Sequence, residues 1–446
     1  MKPIGRRSFV GAALSGLSVG SAALSKLANG QSPNNKVILA LIGAGGRGSQ
    51  LATNFARVEN IEFKYICDVN EQRGESLFAD LEKQYGRRPK RIVDMREVFD
   101  DHEVNAVVIA TPEHWHALAT IWACQAGKDV YVEKPVSLYL WESRKMVEAA
   151  AKYDRVVQCG TQNRSAPYAR SARDYATSGK LGRIEHVKVY NLLPDDGAWA
   201  PQPDSTTPLG VDWDRFLGPA REVPFNAGRL RGWANFWDYG GGALSGDAIH
   251  QLDLARIVLS DPKSPRAVYC KGGRFAHDDN REIPDVQAIT FDFGDFVMTC
   301  ESGTFTPYMK KFPNDVRYGS TWPFWPQSST RIEIFGTKQM MYLGQHGAGW
   351  QVLEGDGKIV SQDKGYFPDK WHQPNFIDCV RSRKRPNGDI EQGHLSTTLV
   401  HMGNIAYRAG NKWLNFDRDA ETFAEADANK YLKPTYRKGY QIPDKV

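Results

Sequence analysis

Three groups of residues have the types and spacing to do chemistry. The first is Gly43-Ala44-Gly45-Gly46-Arg47-Gly48, a G-x-G-x-x-G run directly after a β-rich apolar stretch. Glycines at these positions allow a tight turn and let a pyrophosphate approach the free N–H groups of the helix that follows. Asp68 closes a second apolar stretch 20 residues beyond Gly48, where a carboxylate can accept both hydroxyls of an adenosine ribose and repel a 2′-phosphate. The pattern predicts a bound dinucleotide, NAD in preference to NADP, with NADP as the alternative. The second group stands at the ends of two further stretches: Thr111-Pro112-Glu113-His114-Trp115-His116 and Glu133-Lys134-Pro135. Ligands of open α/β sheets bind beyond the carboxyl ends of the strands, so Thr111, Pro112, His116, Glu133 and Lys134 are placed at the cofactor. An ammonium at Lys134 can hydrogen-bond a reacting hydroxyl or carbonyl and stabilise developing negative charge. The third is a histidine, His250, on a helical segment after Gly240-Gly241-Gly242.

The elements that must carry these residues follow from periodicity. Strand-like runs at 37–42, 63–68, 91–93, 106–110, 129–133 and 156–160 alternate with helical segments at 70–85, 116–126 and 140–153, the pattern of parallel βαβ units. The fold class is therefore α/β, with a Rossmann-type doubly wound parallel sheet over 36–158. Residues 159–446 form a second part. It has strand-like runs at 185–190, 267–271, 287–293, 296–300, 331–335 and 340–343, and helical segments at 245–259, 374–381 and 396–409.

Composition narrows the possibilities. The chain has 446 residues and a formal net charge of +5. Lys2, Arg6, Arg7 and Lys26 lie in the first 30 residues, which hold no acid, and the remainder is nearly balanced. A nucleic-acid footprint is therefore not expected. Residues 1–30 have a basic start, an apolar run at 9–27 interrupted by Gly and Ser, and small residues at Ala28 and Gly30. Such a run is an export signal rather than a stable membrane span. Arg6-Arg7 before Ser8-Phe9-Val10 resembles the twin-arginine signal, which implies the Tat machinery as a partner and a periplasmic or otherwise exported destination. Six cysteines lack metal-ligand spacing and are expected to be buried thiols; no metal site is expected.

Taken in order, the Gly43–Gly48 run, Thr111-Pro112…His116, Glu133-Lys134-Pro135, Gly160-Thr161-Gln162-Asn163-Arg164 and Gly240-Gly241-Gly242-Ala243-Leu244 leading to His250 resemble the Gfo/Idh/MocA family of glucose-fructose oxidoreductase and inositol dehydrogenase. The resemblance implies a C-terminal α/β domain with a large open antiparallel sheet, a homo-oligomer, and a carbohydrate substrate. It also implies that Lys134 and His250 act beside the nicotinamide, and that Gln162 and Arg164 lie near the cofactor, with Arg164 at the nicotinamide end or on a polar substrate group. Family members carry an Asp four residues before the His. Here Gly246 holds that position, and Asp247 is expected to substitute, since i and i+3 share a helix face.

Trp237, Asp238 and Tyr239 precede the glycine run and are candidate sugar contacts, because a flat ring can stack on a sugar's C–H face beside a hydrogen-bonding carboxylate. His372 is a further pocket candidate. The expected reaction is hydride removal from a sugar C–H with His250 as base. The alternatives are an NAD-dependent glycoside hydrolase or lyase working through transient sugar oxidation, and a non-catalytic sugar-binding relative. Free NAD should be scarce outside the cytoplasm, so the cofactor is expected to be tightly held.

Overall fold

The computed structural model describes residues 36–194, 197 and 199–446, so the export signal expected at 1–30 lies outside the described residues. Residues 37–446 form one compact unit built on two sheets.

The first sheet contains β1 (Val37–Ile42), β2 (Ile61–Cys67), β3 (Lys90–Ile92), β4 (Ala106–Ile109), β5 (Asp129–Val132) and β6 (Val157–Cys159). Their order is β3-β2-β1-β4-β5-β6 and every pair is parallel, the doubly wound arrangement expected. β1, β4 and β5 are almost wholly buried because both faces of the sheet are covered, which is why they read as continuous apolar runs without alternation. The order reverses between β1 and β4, so the Gly43 turn and the Thr111 loop open onto one crevice.

The second sheet has ten strands: β7 (Ile184–Leu193), β8 (Ala267–Gly273), β9 (Val286–Asp292), β10 (Val297–Thr304), β11 (Arg331–Gly336), β12 (Met340–Gly344), β13 (Gly349–Leu353), β14 (Ile359–Asp363), β15 (Trp413–Asp417) and β16 (Thr422–Phe423). Their order is β14-β13-β12-β11-β7-β10-β9-β8-β15-β16. The large antiparallel sheet expected is present with one exception: β7 and β10 run parallel, making the sheet mixed. A long connection between those strands, containing the glycine run and the helix Ile249–Val258, permits that pairing, whereas a hairpin would not. One face of the sheet packs on the helices Pro167–Thr177, Ile249–Val258 and Ile390–Arg408 around Val187, Leu252, Phe291, Ile334 and Leu399.

The second part also closes the first. Phe376, Ile377 and Val380 of the helix Asp369–Ser382 pack into the core on one face of the parallel sheet, and Ile390, Ile442 and Val446 into the core on the other. Each fully buried Leu, Ile or Phe contributes about 1.5–3 kcal/mol, so these residues bind the two parts together. All six cysteines are buried and unpaired.

Arg164, expected at the cofactor, is instead buried behind the helix Ile249–Val258. It pairs with Asp253 at 2.6 Å and Asp261 at 2.9 Å, and the Arg164 and Asp253 side chains are 5% and 1% exposed. Ser396 donates to the same Asp253 carboxylate at 2.7 Å. A buried guanidinium needs that charge nearby. Asp253→Asn should therefore cost about 3–5 kcal/mol in urea unfolding, whereas a loss below about 1 kcal/mol would show that the pair is dispensable.

Buried histidines predict the pH response. Burial holds His114 and His372 down at about 4 and His401 at about 3, against an ordinary value of 6.5. His116, His250 and His346 are lowered for the same first reason. Between pH 6.5 and about 4 the unfolded chain takes up protons that the folded chain refuses, so stability falls as pH falls, by up to ~1.4 kcal/mol per pH unit for each histidine. Burial lifts Glu113 and Glu142 to about 7 and gives the opposite slope, but from fewer groups. Melting temperature should drop steadily from pH 6.5 to 4.5; a flat profile would contradict this balance.

Candidate active site

At the head of β1 the chain turns at Gly43 with φ 93°, where a Cβ would come 2.6 Å from Ala110 O. A Cβ on Gly48 would run into the Gly43 carbonyl, so both positions require glycine. The helix Gly46–Phe55 begins at Gly45 with no side-chain cap, leaving its first N–H groups for an anion. Asp68 accepts from Ala44 N at 2.7 Å and from Asn70 N at 2.8 Å, which fixes the carboxylate beside the turn and leaves it lone pairs for further donors. Burial raises the Asp68 carboxyl from its ordinary value, against those two N–H donors.

A cavity of ≈ 220 Å³ opens here, lined by Gly43, Gly45, Asp68, Arg73, Met95 and Thr111, with Phe216, Leu230 and Trp233 of the second part as its far wall. The glycine contacts, the uncapped helix start and a carboxylate in one cleft fit a dinucleotide. Arg73 and the three apolar wall residues were not foreseen. Arg73 lies just beyond Asp68, whereas Phe216, Leu230 and Trp233 come from outside the βαβ units and reach the cleft only by folding.

Thr111 and Pro112 line the same cavity. His116 is buried and bonds Pro135 O at 2.7 Å and Thr111 O at 2.9 Å, so it staples the ends of β4 and β5 together. Gln162 is buried on a short 3-10 turn, its Oε1 unpartnered among the described residues. Glu133 accepts from Arg47 Nε at 2.9 Å, and Arg47 also reaches Asp369 at 3.4 Å. Gly160 leaves room for this carboxylate, since a Cβ there would stand 2.8 Å from Glu133 Oε1. Burial alone would push Glu133 upward, but the charges of Arg47 and Lys134 bring it below its ordinary value.

Lys134 precedes a cis Pro135, and its Nζ donates to Gly246 O at 2.6 Å. That carbonyl lies in Leu244–Ala248, one turn of π-helix immediately before the helix Ile249–Val258. The Lys134 ammonium thus meets the turn that leads to His250. Burial, then the nearby His346, Lys134 and Arg47, holds His250 well below its ordinary value, so its ring is the neutral imidazole. Its Nδ1 has no hydrogen-bond partner among the described residues. Asp247 does not support it: this carboxylate pairs with Lys311 at 3.2 Å. The expected i, i+3 alignment assumed α geometry, and the wider π turn, with i→i+5 bonds, removes it.

His250 faces a histidine the sequence reading missed. The His346 ring lies 4.3 Å from that of His250, edge to face. The signal was local: His346 sits between Gly344 and Gly347 in the β12–β13 turn, with φ 50°. Glu113 was also missed. From the helix Glu113–Gln125 it accepts from Gly241 N at 3.1 Å and from the Ser245 hydroxyl, anchoring both ends of the glycine turn.

The sugar contacts expected at 237–239 fall elsewhere. Trp237 packs against Tyr407 and Arg408, and Asp238 pairs with Arg221 and Arg229. Tyr239 is fully buried against His114 and Phe216. His372 bonds Ser165 Oγ at 2.7 Å and Cys159 O at 2.9 Å inside the core, so it is structural. In each case the side chain finds its partners within its own half of the seam or in the core, which spacing along the chain did not reveal.

A parallel sheet with this cradle, and a lysine and a histidine brought to one seam, define a dinucleotide-binding oxidoreductase. The Gfo/Idh/MocA model for the NAD-binding Rossmann fold matches residues 37–161, and the family's C-terminal domain models match 216–342 and 337–442. The chain belongs to the Gfo/Idh/MocA oxidoreductase family. It is 28% identical over 205 residues to levoglucosan dehydrogenase of Pseudarthrobacter phenanthrenivorans, covering 46% of this chain and 44% of that protein. It is 30% identical over 176 residues to a glycosyl hydrolase family 109 protein of Shewanella baltica, covering 34% and 38%. The chain therefore spans less than half the length of these two relatives. A levoglucosan dehydrogenase structure in complex with NADH and levoglucosan superposes with a TM-score of 0.60 at 18% identity, over 85% of this chain and 99% of that one.

Gly48→Ala should weaken NADH binding about 10- to 100-fold, since the intruding methyl must displace backbone. Fluorescence titration of the refolded apoprotein measures this; unchanged affinity together with an unchanged circular dichroism spectrum would contradict the cradle.

Proposed function

We propose that this protein oxidises a hydroxyl of a carbohydrate with a nicotinamide dinucleotide that it keeps bound. The observation that carries this reading is the meeting of Lys134 Nζ with the turn before a neutral, buried His250. Gly43, Gly45, Gly46, Gly48, Asp68 and Thr111 would hold the cofactor, which when bound supplies a hydride acceptor. His250 takes the hydroxyl proton, a role worth about 10²- to 10⁴-fold. Lys134 orients the same oxygen and stabilises its developing charge. Arg47 and Glu133 hold the base of the Lys134 loop. Levoglucosan dehydrogenase, among the relatives, supports a sugar-derived substrate.

The reading extends to the protein's setting. The twin-arginine pair at Arg6-Arg7 supports export of the folded protein with its cofactor inside, and a tightly held dinucleotide stabilises the native state by mass action. The open face of the second sheet suits self-association into a homo-oligomer. A cofactor that cannot leave is reset either by a second, carbonyl substrate or within a redox-neutral cycle. The family 109 relative favours the latter as the second reading, a glycoside cleavage through transient oxidation.

Denaturing the purified protein should release NAD. A free sugar should then raise absorbance at 340 nm, whereas release of nitrophenol from a nitrophenyl glycoside without net NADH would select the second reading. Lys134→Met should lower turnover by at least about 100-fold while leaving the nicotinamide bound; turnover equal to wild type would overturn the role given to Lys134.

A further inference from the structure

Beside His250 and away from the dinucleotide cleft, positive charge exceeds negative. Lys311 and Arg317 come from the excursion between β10 and β11, and His346 from the β12–β13 turn. Only one carboxylate, Asp247, pairs among them, at 3.2 Å from Lys311 Nζ. Arg317 donates through Nε to Phe312 O at 2.8 Å and has no ion-pair partner among the described residues. It is half-buried, and burial lowers its pKa from the ordinary guanidinium value despite the charge of Asp247 nearby. A guanidinium withdrawn from water without a carboxylate in contact lacks the compensation that such groups normally find in a folded protein.

The surroundings hold these groups in place. Phe367 lies 5.3 Å from the His346 ring and 5.8 Å from the Arg317 guanidinium carbon, measured to its own ring centre. The left-handed backbone at His346 is fixed by its N–H donating to Asn163 Oδ1 at 3.2 Å, and by Gly347 N donating to Tyr168 OH at 3.3 Å. A Cβ at Gly347 would strike the Arg317 carbonyl, so the turn and the arginine are in close contact. His346 Nε2 is buried and has no hydrogen-bond partner among the described residues, although its ring meets that of His250. A buried ring nitrogen without a partner is a position where a hydrogen-bonding group can be accommodated. None of these residues lines the cleft at Asp68, so the cofactor's own phosphates do not account for them.

We infer that Arg317, Lys311 and His346 form an anion subsite beside His250, and that the carbohydrate oxidised here carries an acidic oxyanion, a carboxylate or a phosphate. Arg317 would take the oxyanion in a charge-assisted contact, Lys311 would share it with Asp247, and His346 would donate from Nε2 to it or to the adjacent hydroxyl. The assignment rests on the oxidoreductase reading and adds the class of sugar.

The test compares kcat/KM of the purified holoprotein for D-glucose, D-glucuronate and D-glucose 6-phosphate, and for the galacto and manno counterparts. At least one acidic sugar should exceed its neutral parent by about tenfold or more, the worth of a hydrogen bond to a charged group. The uronate and phosphate arms identify which oxyanion is meant. Arg317→Met and, as a separate exposed-site variant that avoids any folding defect, Lys311→Met should each shrink that ratio, with Arg317→Lys retaining part of it. Neutral parents used as well as their acidic forms would overturn the subsite and leave the oxidoreductase reading standing. If no sugar turns over although nicotinamide is bound, that reading fails instead. The subsite is then judged by fluorescence of bound NADH: a saturable change with D-glucuronate or D-glucose 6-phosphate that Arg317→Met abolishes supports it, and no change with either overturns it.

Discussion

Two polar contacts across the seam between the sheets govern where the chemistry stands. Lys134, at the end of a parallel strand, donates to Gly246 O, and Glu113, at the start of a helix of the same sheet, accepts from Gly241 N and Ser245. Both reach the short stretch that carries the chain into the helix of His250. The Glu113 contacts are buried and would be costly to leave unmatched, while the Lys134 contact lies at the accessible edge of the seam; together they restrict where the glycine turn can sit. The apolar contacts of the helix Asp369–Ser382 and of the C-terminal residues hold the two parts together, but without the polar pair they would not specify the position of the imidazole.

The π turn follows from the same constraint. Widening one turn lets Gly246 present its carbonyl to Lys134 while His250 stays buried, at the expense of the regular spacing that would have set Asp247 against it. The carboxylate that family members place four residues before the histidine is absent, and the neighbour of His250 is another neutral imidazole. Burial lowers both rings, and the surrounding cations lower them further, so the pair stays uncharged. Charge in this region is supplied by Lys134, Lys311 and Arg317, which makes the site electropositive around a neutral base.

The dinucleotide cleft is assembled in a comparable way. Glycines at 43 and 48 and the uncapped helix form a local device, complete within one βα unit. Its far wall of Phe216, Leu230 and Trp233 is supplied by the second part, so occupancy of the cleft and closure of the seam should be energetically linked.

How much was legible depended on how local the physics was. The six parallel strands, the Gly43–Gly48 turn, Asp68 and the strand-end positions of Thr111 and Lys134 are written in runs of consecutive residues, because hydrophobic period and φ preference act within a few positions. The sequence alone therefore determined the fold class and the cradle, and the family resemblance of its motifs added Lys134 and His250 as candidates. Arg164 and His372 carry polar groups that suit a site equally well, and only the core around them shows that Asp253 and Ser165 already claim them. His346 and Arg317 lie far along the chain from His250 and are set by the ten-stranded mixed sheet and its connections, while Glu113 comes from the first sheet and reaches the glycine turn across the seam. Tertiary structure decided these contacts, since side-chain proximity and desolvation arise only once distant segments have packed.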